Sequence, residues 1–226
     1  LNDRHKASNL TETLLGADIN PARYLKEIPP YYLEGTKIKS YTVPDNIASI
    51  GDYAFRECGE LTDITIGNNV KYIGRDVFYM CRNLAKVIIP EGVNYIGKEA
   101  FQYCTGLTNI ILPNSLTSIG RGAFDGCSGL TNITIPSSVV TIDNDTFYSC
   151  KNLTRVVIPE GVVYIGDSAF NQCSSLTDVK IPNSVTVIGI SAFSGCSSLT
   201  HIEIPEGVVS VELFTFYGCS SLTDID

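Results

Sequence analysis

The eight cysteines are the residues whose chemistry most needs an explanation. All of them fall in one register, each 23 residues after the last: Cys58, Cys81, Cys104, Cys127, Cys150, Cys173, Cys196 and Cys219. Thiols can act as nucleophiles, ligate metals or form disulfides, but metal and redox sites show close pairs such as C-x-x-C, which this sequence lacks. Equivalent side chains in a stacked column point the same way, which disfavours disulfides. We therefore predict buried free thiols that fill space, with no metal and no cofactor.

The two histidines give little support for catalysis. His5 lies outside the repeating part of the chain, whereas His201 occupies a strand position with Asp178 expected beside it, one coil earlier. A histidine next to a carboxylate is a candidate general base. No nucleophile is presented to this pair, because the cysteine column is expected to point inward. We predict that the protein is not an enzyme and that the pair is a surface contact.

The 23-residue spacing governs other residue types as well. One phenylalanine recurs three residues before each cysteine and one leucine three residues after it. The stretch from Leu107 to Gly129, LTNIILPNSLTSIGRGAFDGCSG, represents the repeat. A fixed period of this length, with leucine and isoleucine in fixed slots, is the signature of a leucine-rich solenoid. Such a solenoid is one continuous body whatever its length.

Each repeat predicts one strand, one turn and one corner. Ile110 and Leu112 alternate as in a short strand that faces the core, and Pro113 ends it. Gly120 is expected to permit a sharp corner, a slot that holds Asp143 and Glu212 in two other coils. Phe124 should then pack at the centre of the coil from a single helical turn. A threonine after most of the repeat leucines predicts a structural ladder of hydroxyl groups.

The first 30 residues do not follow the repeat. Leu10, Leu14 and Leu15 suggest a short amphipathic helix, and Asn20-Pro21 reads as the start of a second helix that includes Ile28. We predict that residues 1–30 form a helical cap over the first coil; a linker to an upstream domain is the alternative. Residues 31–226 are predicted to be the solenoid, with a degenerate first coil over 31–47 and a truncated last repeat.

The repeat motif carries a family resemblance. The pattern L-T-x-I-x-I-P-x-x-V-x-x-I-G-x-x-A-F-x-x-C resembles the BspA-like, treponemal-type leucine-rich repeat and covers residues 31–226. The resemblance implies an α/β repeat solenoid: a right-handed superhelix with a parallel β-sheet on its concave face and short turns or 3-10 segments on its convex face. It also implies a bacterial cell-surface or secreted protein, several relatives being adhesins for host matrix proteins. The family pattern includes no catalytic residue.

Charge and composition restrict the partners. With 16 basic and 24 acidic residues, the chain is a poor candidate for nucleic-acid binding, which needs a basic face. No apolar run reaches the roughly 18 residues that span a bilayer, so direct membrane insertion is not expected. The sequence has no signal peptide, does not begin with Met and stops within a repeat. We expect a mature chain or a fragment, and the sequence leaves the oligomeric state open.

The residues best placed to bind a partner are the outward positions of the predicted strands. One column runs through the slot between the two inward strand residues, and the second lies two residues before it. The first is apolar or β-branched in the middle coils and charged at the C-terminal end, which is typical of a binding patch with a polar rim. An equally good reading is that β-branched residues simply suit exposed strands. The candidate site residues are Ile88, Ile111, Thr134, Val157, Lys180, Glu203, Lys86, Asn109, Asn132 and Arg155.

Three functional hypotheses follow. The first is a protein-interaction module, an adhesin that binds host or matrix proteins through its concave face. The second is a structural spacer or display rod, which the uniformity of the coils favours. The third is the recognition domain of a larger surface protein or enzyme.

Overall fold

The computed structural model describes residues 25–226, and its architecture is built from two ladders of parallel strands. The ladder of longer strands contains β2 (Ser40–Thr42), β4 (Asp63–Thr65), β6 (Lys86–Ile88), β9 (Asn132–Thr134), β11 (Arg155–Val157), β14 (His201–Ile202) and β16 (Asp224–Ile225). The second ladder contains β1 (Glu27–Ile28), β3 (Ser49–Ile50), β5 (Tyr72–Ile73), β7 (Tyr95–Ile96), β8 (Ser118–Ile119), β10 (Thr141–Ile142), β12 (Tyr164–Ile165), β13 (Val187–Ile188) and β15 (Ser210–Val211).

Strand register follows directly from the repeat. Ile64 pairs with Val87 and Ile133 with Val156, so residues 23 apart stand side by side. The middle residue of each three-residue strand from β4 to β11 points into the core, while its two neighbours are exposed. This is the period-2 alternation of a sheet with one buried face. The parallel leucine-rich solenoid inferred from the sequence is therefore confirmed.

The second ladder is a feature that the sequence pattern did not reveal. Leu116 and Ile119 were expected to point inward, and both are buried. However, Ile119 also belongs to a two-residue strand that pairs with Ile96 of the preceding coil. Two-residue strands are too short to show a hydrophobic period of their own, which is why the pattern indicated only a turn and a corner.

The α/β part of the predicted fold class is wrong for the described residues: they contain strands and turns but no helix, and no 3-10 segment. The segment around Phe124 alternates two kinds of backbone hydrogen bond. The Phe124 N–H donates to Thr146 O of the next coil (2.9 Å), and the Asp125 N–H donates to Gly122 O (3.0 Å). An α-helix would direct every N–H four residues back and leave none for the next coil. The residues two before and two after each phenylalanine have positive φ, as at Gly122 and Gly126, so the chain forms successive turns.

The core is a column of stacked aromatic rings lined by aliphatic side chains. From Phe55 to Phe216, successive phenylalanine rings lie 5.1–5.9 Å apart with interplanar angles of 2–22°. At the N-terminal end, Tyr41 packs against Phe55 at 5.2 Å. The prediction that the phenylalanine fills the centre of each coil is confirmed, because Phe55 through Phe193 are fully buried.

The recurrent glycine is explained by the close approach of two backbones and not by the sharp corner that the sequence predicted. Gly120 does not have positive φ; instead, a Cβ at this position would lie 2.6 Å from Lys98 N of the preceding coil. At Gly97 the corresponding distance is 2.4 Å to Gly74 O. Glycine suits these two coils because two backbones approach closely there. The slot is not restricted to glycine, since Glu212 fills it in a later coil and its N–H still donates to Ile188 O at 3.0 Å. Asp143 occupies this slot in the middle of the chain, and the second ladder is interrupted at that coil: β8 does not pair with β10.

The predicted helical cap lies mostly outside the described residues, which begin at residue 25. That includes the helix expected around Leu10, Leu14 and Leu15 and the start of the second helix at Asn20-Pro21. The prediction that the second helix includes Ile28 is wrong, because Glu27–Ile28 is strand β1 and pairs with β3. The isoleucine was assigned to a helix face because a single buried position cannot separate a helix from a two-residue strand.

Candidate functional site

Six of the ten candidate binding residues lie on β6, β9 and β11, and the other four, Asn109, Ile111, Lys180 and Glu203, occupy the equivalent slots of coils where no strand includes them. We call this surface the strand face and define it by Ile88, Ile111, Thr134, Val157, Lys180, Glu203, Lys86, Asn109, Asn132 and Arg155, each of which is exposed. Ile88 is the exposed end of β6 and Val157 that of β11. The structure therefore places the two columns side by side. Nothing in the geometry alone identifies them as a binding site.

The strand face contains an apolar stripe that no other part of the coil covers. Ile88 is 45 % exposed, Ile111 76 % and Val157 39 %. Coils in a parallel ladder are spaced about 4.8 Å apart, so these side chains and Thr134 form one row. Residues 109–111 have no strand assignment, and Ile111 lies between β6 and β9, which do not pair. The most exposed aliphatic side chain in the row is thus on the least regular part of the ladder.

Charged residues on the strand face are matched across neighbouring coils. In the ladder, Asp63 stands opposite Lys86, and the backbone of Arg155 pairs with that of Asp178. His201 stands opposite Asp224, with Nδ1 lying 3.8 Å from Oδ2. The sequence placed Asp178 beside His201, but the side-chain contact forms with Asp224 of the following coil. Asp224 occupies the same slot, and the sequence reasoning did not consider it.

One group of side chains could hold a cation by geometry. His201, Asp224 and Asp226 bring one ligand atom each to within 4.8 Å of one another, and all three are exposed. Exposed acidic groups commonly adopt such arrangements without an ion. We assign no site to this group.

The cysteine column is a structural feature. Seven of the eight free thiols are buried and Cys219 is half-buried. Each Sγ lies within hydrogen-bonding distance of a backbone carbonyl of the preceding coil, as Cys127 Sγ does with Phe101 O at 3.1 Å. Burial raises the pKa of Cys173 to about 12 and that of Cys104 well above its usual value. A nucleophile requires the thiolate, so the thiols of Cys104 and Cys173 are poorly suited to catalysis. The pKa of Cys58 is instead lowered, chiefly by its hydrogen bond with Cys81.

The threonine column also forms a ladder, although not by hydroxyl-to-hydroxyl contacts. Thr154 Oγ1 donates to Thr131 O at 3.0 Å, and Thr131 Oγ1 donates to Thr108 O at 3.2 Å. The hydroxyls of Thr62, Thr177 and Thr223 donate to the preceding coil in the same way. This agrees with the structural role expected from the sequence.

A polar cleft on the turn segments was missed by the sequence reasoning. It has a volume of about 240 Å³ and is lined by Glu99, Gln102, Arg121, Gly122, Asp125, Asp145 and Tyr148. Asp125 is only 9 % exposed, and burial, more than its other surroundings, raises the pKa of this carboxyl group to about 6. The sequence did contain a signal. Of the residues that directly follow the repeat phenylalanines, only Asp125 is acidic; the equivalent residues in other coils include Gln102 and Tyr148.

Comparison with known proteins decides the family. The family model described as the BspA type leucine rich repeat region matches in 6 copies, over residues 26–154 and 140–226. The chain belongs to the BspA-type leucine-rich repeat family. Proteins of this kind are commonly interaction modules and are generally not enzymes. No match is found among curated protein sequences.

Solved structures of leucine-rich repeat proteins from bacteria are similar to this chain. The leucine-rich repeat protein of Treponema pallidum is 29 % identical with a TM-score of 0.66, over 68 % of this chain and 72 % of that one. A leucine-rich repeat protein from Bacteroides ovatus has the same identity and TM-score, over 89 % of this chain and 64 % of that one. The pneumococcal vaccine antigen PcpA, at 18 % identity, TM-score 0.55, and 89 % and 59 % coverage, shows the fold alone. This chain thus spans about two thirds of the first two proteins. Within residues 25–226, no helix has the length and hydropathy to cross a membrane.

Proposed function

We propose that this protein is a protein-interaction module that binds its partner through the strand face. The observation that supports this proposal is the row formed by Ile88, Ile111 and Val157, whose side chains are all exposed. Exposed apolar patches that are rimmed by polar residues mark interaction sites. The rim here is supplied by Lys86 and Arg155 in the neighbouring column.

The packing of the scaffold favours binding. Neighbouring coils are joined by backbone hydrogen bonds and by the stacked phenylalanine column, so the coils that carry the row are held next to one another, while the ladder itself is interrupted at Ile111. Pre-organised surfaces lose little conformational entropy when they bind. A partner that covers Ile88 and Ile111 would remove apolar area from water at about 25 cal/mol per Å², although association costs offset a large part of that gain.

The proposal extends to location and partner class. We propose a cell-surface or secreted adhesin whose ligand is a host or matrix protein, on the strength of the family resemblance. The acidic balance of the chain, 16 basic against 24 acidic residues, fits a protein ligand better than nucleic acid.

A binding screen with two matched variants tests the proposal. The purified chain is presented to matrix proteins, serum proteins and glycans, beside Ile88/Ile111/Val157→Asp. The control variant is Val140/Val163/Ile190→Asp, whose three side chains are 44–53 % exposed but lie off the strand face. We expect the control to bind like the wild type and the strand-face variant to lose binding. Equal binding by both variants would show that the proposed face is wrong.

A structural rod is the second candidate function. The observation in its favour is the uniformity of the phenylalanine column, which continues at 5.1–5.9 Å from Phe55 to Phe216. The same scaffold would serve as the recognition domain of a larger surface protein or enzyme. A chain that binds no partner in the screen, yet assembles in sedimentation experiments, would favour the rod.

A further inference from the structure

The cleft on the turn segments contains a carboxylate that the described part of the protein leaves unsatisfied. Asp125 Oδ2 accepts a hydrogen bond from Gln102 Nε2. Its Oδ1 is buried and has no hydrogen-bond partner. Among residues 25–226, no ion pair includes Asp125. A buried polar atom without a partner is costly, and a carboxylate oxygen requires a donor.

The other charges around Asp125 make the cleft attractive to a cation. Glu99 and Asp145 also line it, and both raise the pKa of Asp125 by repulsion, after burial. Arg121 is the one cationic side chain in the lining, and it is engaged by Asp145, with Nε 3.0 Å and Nη2 2.9 Å from Asp145 Oδ2. Glu99 is itself approached by Lys98 Nζ at 3.3 Å and by Arg75 Nη2 at 3.8 Å, neither of which lines the cleft. Asp125 is therefore the one carboxylate of the lining that no cationic side chain pairs, and it holds the unsatisfied acceptor.

The dimensions of the cleft decide which cation fits. The carboxylates of Glu99, Asp125 and Asp145 do not bring three ligand atoms within 4.8 Å of one another, since the one group in the described residues that does so is elsewhere. A single metal ion needs such convergence. The volume of about 240 Å³ is below the roughly 300–1,000 Å³ of small-molecule pockets. A single amino-acid side chain with several donors suits a cleft of this size.

Tyr148 adds a further recognition element. Tyr148 lines the cleft and is 36 % exposed. A guanidinium group stacks on aromatic faces and directs its N–H groups outward in the plane of the group, toward carboxylates. An ammonium group offers donors but no stacking plane.

We propose that this cleft binds a guanidinium group, as presented by an arginine side chain of a protein partner. Asp125 accepts from it and Tyr148 stacks on it. The site lies on the turn segments and is separate from the strand face, so it stands independently of the function proposed above.

Nuclear magnetic resonance titration of the isotope-labelled chain tests the proposal with defined probes. The probes are blocked arginine (Nα-acetyl-arginine methylamide), blocked citrulline, which has the same shape without the charge, blocked lysine and calcium chloride. We expect blocked arginine to cause saturable shifts of the Gln102 side-chain amide and the Gly122 backbone amide. Blocked citrulline should cause none, and blocked lysine should bind more weakly.

Variants of the chain test whether arginine binding depends on the cleft, and not on the strand face or on a loss of folding. Asp125→Asn is nearly isosteric and should weaken arginine binding by about tenfold or more, as expected for loss of a charge-assisted contact. Tyr148→Leu should weaken it less. Asp178→Asn and the strand-face variant Ile88/Ile111/Val157→Asp should leave it unchanged. Unperturbed spectra of remote residues will show that each variant is folded.

Three results would overturn the proposal. One is the absence of saturable shifts with blocked arginine. Another is equal binding of blocked citrulline, which would remove the role of charge. The third is displacement of arginine by calcium chloride with the same pattern of shifts, which would make the cleft a metal site.

Discussion

Substitution of Gly97 by alanine should destabilise the protein by pushing two coils apart. The added Cβ would lie 2.4 Å from Gly74 O and 2.5 Å from Gly74 C. Real Cβ atoms do not approach backbone this closely, so the coils must separate. The backbone hydrogen bonds most exposed to this shift are Gly97 N–H to Ile73 O (2.8 Å) and Asn94 N–H to Lys71 O (3.0 Å).

The magnitude follows from three terms. Two weakened hydrogen bonds contribute about 0.5–1.5 kcal/mol each, and overpacking contributes about 1–3 kcal/mol. The lower entropy of unfolded alanine offsets about 0.4–1 kcal/mol. The expected loss is roughly 3 kcal/mol, measured as the change in the free energy of unfolding in urea followed by circular dichroism.

Asp143→Ala is the matched control, because Asp143 occupies the same slot and already has a Cβ. The intercoil bonds equivalent to those of Gly97 are absent there, and β8 and β10 do not pair. This variant loses the bond from Asn144 N to Asp143 Oδ1 (2.7 Å), which is worth about 0.5–1.5 kcal/mol. Equal destabilisation by the two variants would refute the close-approach explanation of the glycine.

Three further predictions concern the core, the thiols and pH. Phe124→Ala should cost about 3–5 kcal/mol in urea unfolding, because it leaves a cavity in a fully buried column; a loss below 1 kcal/mol would contradict that packing. In the native state, iodoacetamide should modify Cys219 first and Cys173 only on unfolding, because Cys219 is half-buried and burial raises the pKa of Cys173 to about 12; mass spectrometry of tryptic peptides measures the order. Asp125 has a folded-state pKa of about 6, above its unfolded value of about 3.9, so its contribution to stability is present below pH 4 and lost as pH rises through 6. Asp125→Asn should therefore stabilise the protein at pH 7 by on the order of 2 kcal/mol relative to its effect at pH 4; equal effects of this substitution at the two pH values would contradict the shift.

The repeat made most of the solenoid predictable. Phe124 and Cys127 recur with every coil, so their burial followed from counting residues. The same is true of the strand register, in which Ile64 and Val87 are 23 residues apart. Spacing transfers directly to three dimensions in a solenoid because each coil contacts only its neighbours.

What could not be predicted depends on backbone detail within the coil. The sequence predicted a helical turn around Phe124, but the chain has positive φ at Gly122 and Gly126. In the preceding coil the same two slots hold Glu99 and Tyr103, which also have positive φ. Such residues rarely adopt this conformation, so the sequence does not reveal it. The cleft was missed for another reason: its lining comes from three coils, and only Asp125 departs visibly from its slot.

The strand face was named correctly as an exposed surface, whereas its function stays a proposal. Exposure follows from the alternation of strands, so Ile111 and Lys180 could be placed from sequence. Which partner binds depends on the side chains at the exposed positions, and these differ from coil to coil. The alternation of buried and exposed residues does not identify that partner.

The most direct test of the interaction proposal is the affinity ratio between the two triple variants for the partner recovered in the screen. Biolayer interferometry on the folded, purified chains gives both dissociation constants. We expect Val140/Val163/Ile190→Asp to bind within about twofold of the wild type and Ile88/Ile111/Val157→Asp to bind at least about a hundredfold more weakly, as for loss of central interface residues. A partner that binds both variants equally well would contradict the claim that this protein works through its strand face.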